Sequence, residues 1–346
     1  MAITIKDVAR EAGVSVATVS KILNNKPYIS EKTRQHVKEV MKQLDYRPNA
    51  QASNFKYKRS NNIIFLALTQ LHTAFHNPHM FEILCGAESV TKKKNYNLSF
   101  VGVSSREEAY TNILEIVGRN TADGILVHGS ATSRQLVDFL VKNNFPHIII
   151  GRPPFASTSC WIDINNRMSG QMAMEYLERC GYSKIAFLGG PKSDEISRHR
   201  LQGFVSYMNI NRLSIQEDFI KYGKYTKESG FAMMAELLCY PALPDAVICE
   251  NNLIAMGAVK AIENKNLSIP KDIGIITFDD YPLSQLIDPP LTVVDIDVYE
   301  MGNQAASILL RKINNRNLSV QSFVTLPNLI IRSSTRNLAI KKDTSK

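Results

Sequence analysis

Residues 1–24 constrain this chain more than any other stretch, because they read as two short helices joined by a glycine turn. Thr4 can cap a helix N-terminus, and Asp7, three residues on, can reach back to it as in a capping box. Ile5, Val8, Ala9 and Ala12 recur at i, i+3, i+4, i+7 and form one apolar helical face. Gly13 permits the left-handed backbone that stops this helix. Ser15 caps the next helix, whose Val19, Ile22 and Leu23 face the first. Ser30 caps a third, with Val37, Val40, Met41 and Leu44 as its buried stripe. Three short helices around one small core form a unit of about 45 residues, marginal on its own.

The outward side of the second helix carries Val16, Ala17, Thr18, Ser20 and Lys21, followed by Asn24. Small side chains there let a backbone approach the floor of a DNA major groove, as in a helix-turn-helix. Val16 and Ala17 suit thymine methyls, and Lys21 suits guanine O6 or N7. Charge agrees: residues 1–59 hold 12 Lys and Arg against 5 Asp and Glu, so +7 of the net +9 sits on about a sixth of the chain. The natural partner of such a block is a polyanion. A merely solvated bundle surface is the weaker alternative, because caps, turn and basic face coincide.

The pattern from Thr4 through Asp7, Val8, Ala9, Ala12, Gly13, Ser15, Thr18, Ser20, Leu23 and Asn24 resembles the head of the LacI–GalR family of bacterial transcription regulators, and the resemblance runs on to about residue 336. It implies a homodimer on a pseudo-palindromic double-stranded operator, with a small-molecule effector bound in the C-terminal domain. Tyr46, Pro48, Asn49, Ala52 and Phe55 fall where the family has its hinge, which becomes helical on DNA and wedges an apolar side chain into a base step. Two departures stand out: Phe55 replaces the usual leucine wedge, and Ser53 the usual arginine. The DNA-contacting set implied is Thr4, Ser15, Val16, Ala17, Thr18, Ser20, Lys21, Asn24, Tyr46, Asn49, Ala52 and Phe55. The head with hinge spans 1–59, with the helix-turn-helix at about 5–24 and the hinge at about 47–59.

From Asn61 onward, short apolar runs alternate with amphipathic stretches. Residues 63–68, 98–103, 124–127, 147–150, 184–188, 245–249 and 273–278 read as buried strands; 79–94, 107–118, 166–181, 227–239 and 252–264 read as helices. This alternation predicts an α/β fold with mostly parallel sheets flanked by helices. Its length suits two similar lobes, with a ligand in the cleft at the carboxyl ends of strands. The resemblance implies a two-lobed periplasmic-binding-protein-like domain over 60–336. Its first lobe is expected at about 60–161 and 294–322, its second at about 162–293 and 323–336, and a polar tail at 337–346.

Arg200 lies in the family's Arg-x-x-Gly-Phe motif, where the arginine contacts the ligand, and a guanidinium fork suits vicinal hydroxyls or a carboxylate. Asp279 and Asn251 stand at strand ends and can hydrogen-bond sugar hydroxyls. Tyr225 falls at a position of stacking aromatics, its flat face suiting a pyranose or a purine. His128 and Arg152 end first-lobe strands and can close over the ligand. The family's Asp-Asn pair is here Asn165–Asn166, with Asp163 two residues earlier as the acidic candidate. The runs 291–302 and 150–153 look closest to the maltose-operon-repressor branch, which points to an α-glucoside effector.

His72, His76 and His79 invite a metal reading, but Pro78 among them keeps them off a single helix face, and a polar rim of the pocket mouth is the better reading. No metal and no cofactor are expected. Five cysteines without a C-x-x-C suit a reduced cytosolic protein. No apolar stretch approaches 18 residues, and the N-terminus begins with a capped helix where a signal segment would lie. Walker, G-x-G-x-x-G, H-E-x-x-H and G-x-S-x-G motifs are absent, which argues against an enzyme. A tail after Arg336 without leucine heptads gives no reason for a tetramer. The expectation is a cytoplasmic, dimeric, DNA-binding repressor of a carbohydrate-utilisation operon, controlled allosterically by a sugar-like effector. The alternative is a sugar-binding or transport receptor without regulatory DNA binding.

Overall fold

A computed structural model describes residues 3–23, 28–46, 59–69, 78–318 and 322–336, and the chain divides into two compact units, Met1–Asn61 and Asn62–Lys346. In the first unit, α1 (Ile5–Glu11), α2 (Val16–Leu23) and α3 (Glu31–Gln43) enclose Val8, Ala9, Ala12, Val19, Ile22, Val37 and Val40. Met41 and Leu44 pack around this core half-buried. Gly13 turns the chain at φ +61°, a conformation that costs little only without a Cβ.

The second unit contains two six-stranded sheets among the described residues. The first lobe holds β1 (Asn62–Leu68), α4 (Pro78–Lys93), β2 (Asn97–Val103), α5 (Arg106–Gly118), β3 (Gly124–His128), α6 (Arg134–Lys142), β4 (His147–Ile150) and β5 (Trp161–Ile164). The second holds α7 (Asn166–Arg179), β6 (Ile185–Gly189), α8 (Glu195–Ile210), β7 (Ile220–Tyr222), α9 (Lys227–Leu237), β8 (Ala246–Cys249), α10 (Asn252–Asn264), β9 (Gly274–Phe278), α11 (Pro282–Leu286) and β10 (Thr292–Asp295). The chain then returns to the first lobe as α12 (Val298–Asn314), which packs on α4, and β11 (Phe323–Thr325), before ending in the second as β12 (Asn328–Ile330).

The sheet orders are β11-β5-β4-β3-β1-β2 and β12-β10-β9-β8-β6-β7. Every strand pair is parallel except β10–β12. Central strands such as β6, β8 and β9 are buried along their whole length, because helices cover both sheet faces. This explains their continuous apolar sequences.

The lobe crossings fall later than the sequence suggests. Trp161–Ile164 pairs with β4 and β11 in the first sheet, so the chain crosses at Asn165 instead of near 161. Thr292–Asp295 belongs to the second sheet, which moves that crossing from 294 to just beyond 295. Phe323–Thr325 is still first-lobe, so the last crossing follows Thr325 instead of preceding 323. Pairing between distant segments, including the Asn165 N–H donating to the Thr325 carbonyl at 3.0 Å, sets these limits.

Candidate DNA-binding face and effector pocket

In the head, Asp7 accepts from the Thr4 backbone N–H at 3.0 Å and from its hydroxyl at 2.7 Å, holding the start of α1. The same carboxylate pairs with Arg10 at 2.8 Å. Thr4 is therefore a capping residue with an exposed position. Ser15 accepts from the Thr18 N–H at 3.1 Å, and the two hydroxyls lie 2.9 Å apart. Val16, Ala17 and Lys21 are exposed on α2, while Thr18 and Ser20 are half-buried. The exposed face is thus small and basic, with Val16 unusually open for a valine at 41%. Tyr46 packs against the head core. Asn24, Asn49, Ala52 and Phe55, with nearly all of the hinge, lie outside the described residues, as do His72, His76 and the tail 337–346.

In the second unit the second-lobe strands deliver their polar residues to one place. Arg200, on α8, is only 3% exposed. Its Nη1 donates to the Glu250 carbonyl at 3.0 Å and to Glu250 Oε1 at 3.1 Å, and its Nε donates to Asn166 Oδ1 at 3.2 Å. Its Nη2 lies 3.7 Å from Asp279 Oδ1, and its guanidinium sits 4.1 Å from the Phe278 ring centroid. Glu250 follows β8 and Asp279 follows β9, so both stand at strand carboxyl ends, where open α/β sheets bind ligands. Asp279 is held at φ +67°, a strained backbone for a non-glycine residue. Asn252 supports it by donating to the Phe278 and Asp279 carbonyls at 3.0 and 2.9 Å.

The first lobe meets this cluster through α4: His79 Nδ1 lies 3.9 Å from Asp279 Oδ2. Burial pushes the Asp279 carboxyl up, but Arg200 and His79 outweigh it and hold the group below its ordinary value. At Glu250 burial wins, pushing it up to about 7 against Arg200 and a Ser197 hydrogen bond, with Asp194 and Asp279 adding to the rise. Tyr225 bonds to Asp194 and is held protonated, first by burial and then by Glu250 and Asp194. Its ring occupies the space beside Gly190, where a Cβ would come within 2.3 Å of it.

The sequence-derived candidates separate here. Arg200, Tyr225 and Asp279 come together. His128 reaches the group only through His79; its Nδ1 accepts from the Ser130 N–H at 3.2 Å and lies 2.8 Å from that hydroxyl. Burial and His79 lower it to about 4, so it is neutral near pH 7. Asn251 Oδ1 accepts from the Ile254 N–H at 2.8 Å, capping α10. Asp163 accepts from the Arg152 and Ile164 N–H groups, while burial raises its pKa. The exposed Arg152 guanidinium lies 5.6 Å from the Trp161 ring centroid. Glu250, Asn166, Asp194, Asn252 and Tyr281 were not singled out as effector contacts. Only the polar run Glu250-Asn251-Asn252 at the end of an apolar strand signalled more than one of them.

Comparison with known proteins agrees with this architecture. Residues 4–49 match "Bacterial regulatory proteins, lacI family", and residues 174–335 match "Periplasmic binding protein-like domain". An HTH-type transcriptional repressor PurR of Haemophilus influenzae (strain PittEE) is 32% identical over 339 residues, covering 97% of this chain and 99% of that one. The chain belongs to the lacI family of bacterial regulatory proteins. A transcriptional regulator CelR–cellobiose complex is 26% identical, with TM-score 0.72 over 96% of this chain and 99% of that one. The lac repressor dimer bound to operator and the anti-inducer ONPF shares the fold at TM-score 0.81 and 24% identity, covering 97% of this chain and 100% of that one. This lacI-family member is a DNA-binding transcriptional repressor with a small-molecule effector. No helix among the described residues is long and apolar enough to cross a membrane.

Proposed function

We propose that the protein is a cytoplasmic homodimer that represses a carbohydrate-utilisation operon and responds to a sugar-like effector, an α-glucoside being the favoured case. The observation that carries the effector reading is the buried Arg200–Glu250–Asp279 cluster facing His79 of the other lobe. It offers hydroxyl-binding groups on one wall and a closing contact on the other. Tyr225 supplies a flat ring beside them, and His128, Arg152, Asp163 and Asn251 support the surrounding turns. The CelR–cellobiose complex supports a carbohydrate ligand for this fold.

The dimer reading rests on an open apolar face of the first lobe. Phe100 and Tyr299 are 43% and 42% exposed there, around a groove that includes Leu84 and Leu98. Exposed aromatics in one patch mark an association surface. The polar groups at the pocket read as a binding constellation.

Linkage provides the mechanism. The effector prefers one relative lobe orientation, DNA prefers one spacing of paired heads, and the hinge couples the two. The test is a thermal-shift screen of the full chain against sugars and nucleosides, followed by operator binding with and without the hit. A stabilising sugar that changes DNA affinity is the expected result. Stabilisation by no sugar, or by one that leaves DNA affinity unchanged, contradicts the reading.

A further inference from the structure

The donors and acceptors of the pocket are unequally used. Arg200 has Nε on Asn166 and Nη1 on Glu250 twice over, and a ring against its face. The acceptors are left open. Glu250 Oε2, Asp279 Oδ1 and Asn252 Oδ1 are buried without a hydrogen-bond donor, in residues only 1%, 9% and 5% exposed. The Tyr281 hydroxyl, next in chain to Asp280, is buried in the same condition. One guanidinium therefore faces Glu250 at 3.1 Å and Asp279 at 3.7 Å, with the Asp194 carboxylate close enough to act on both Glu250 and Tyr225.

A buried acceptor without a donor is a cost that a ligand O–H or N–H removes. An added negative charge at the same place meets two carboxyl groups in a medium of low dielectric, with Arg200 Nη2, 3.7 Å from Asp279 Oδ1, as its only guanidinium nitrogen not already hydrogen-bonded among the described residues. Glu250 is the side chain that tips this balance. Its backbone N–H is fixed to the Leu188 carbonyl at 3.0 Å, which anchors it in the sheet, and its carboxyl takes up both Nη1 hydrogens of Arg200 together with its own carbonyl.

We infer that Glu250 is a specificity-determining residue that makes this pocket accept an uncharged, hydroxyl-rich effector and reject its phosphorylated or carboxylated counterpart. This rests on the reading of the cleft as the effector site. It revises what the sequence suggests for Arg200: Nε and Nη1 of the guanidinium are taken by Asn166 and Glu250, and its charge is shared between Glu250 and Asp279.

The test uses the full chain and matched pairs: glucose, maltose, cellobiose and ribose, each beside its monophosphate, by thermal shift and titration calorimetry. The uncharged member of the binding pair is expected to bind at least about tenfold tighter than its phosphate, a difference of about 1.4 kcal/mol. Glu250→Gln is expected to narrow that ratio, and Glu250→Asp, which keeps the charge, to preserve it. A phosphate that binds as tightly as its parent sugar overturns the charge inference and leaves the effector-site reading standing. An unchanged ratio in Glu250→Gln overturns the role of Glu250. Should Glu250→Gln fail to fold, the pairs on the parent protein decide alone. Failure of every pair to bind overturns the effector-site reading, and the inference with it.

Discussion

The two lobes carry similar sheets but use the polar residues at their strand ends differently. In the first, His128 is bound to Ser130 and Asp163 accepts from two backbone N–H groups. Arg152 extends over Trp161. These side chains finish turns. In the second, Glu250 Oε2, Asp279 Oδ1 and Asn252 Oδ1 are buried acceptor atoms without a hydrogen-bond donor among the described residues. Proteins rarely leave such groups unpaired, and where they do a ligand is a physical reason. On the proposed reading, binding belongs to the second lobe and closure to the first, with His79 3.9 Å from Asp279 as the contact between them.

Arg200→Ala should break this asymmetry most severely. It leaves two carboxyl groups buried without their cation, so stability should fall by about 3–5 kcal/mol, read by chemical denaturation. Binding of the effector identified by screening should be lost, while the separate head retains its affinity for DNA. A parent-like effector response in this variant would show that the pocket is misplaced.

His79→Ala should weaken effector affinity roughly fivefold, equivalent to about 1 kcal/mol, because only the closing contact is removed. Calorimetry gives the number; a loss as large as that of Arg200→Ala would mean that the first lobe binds as much as the second. Arg152→Ala should change stability by no more than about 0.5 kcal/mol, as expected of an exposed side chain, and should leave the effector response intact.

The pH dependence sharpens the comparison further. Glu250 titrates at about 7 in the folded chain against an ordinary 4.5, so the folded state holds its proton longer than the unfolded state. Its contribution to stability therefore falls as pH rises from 4.5 to 7. His128 and His147, both lowered to about 4 from 6.5, oppose it over much of that range, because the unfolded chain binds their protons first. The difference between Glu250→Gln and the parent isolates the acid. Melting temperature of the variant minus that of the parent should become more positive from pH 4.5 to pH 7. A flat difference would remove the perturbed carboxyl from the account.

Much of this was legible in the sequence, for identifiable reasons. Fully buried parallel strands must be continuously apolar, so 63–68, 124–127 and 273–278 announce themselves, and each lies within two residues of the observed limits. The head is equally readable, since its caps are local: Thr4 with Asp7, Ser15 with Thr18, Ser30 with Thr33. The lobe crossings were not, because three-residue strands such as β11 and β12 owe their existence to partners far along the chain. Arg200 and Asp279 could be found from motif and strand-end position. Glu250 could not, because a glutamate is almost never fully buried and its neighbour Asn251 looks the better ligand. Asn251 instead caps a helix, a role that its position before an apolar run also permits.

The account stands or falls on coupling between a cationic head and a second-lobe pocket. The most direct measurement is binding of the full chain to a duplex selected from genomic fragments, at two salt concentrations, with and without the sugar that stabilises the protein. The account predicts an affinity that drops steeply with salt and shifts roughly 5- to 150-fold when the sugar is added. Binding that ignores salt, or a sugar that occupies the pocket and leaves DNA affinity where it was, would contradict it.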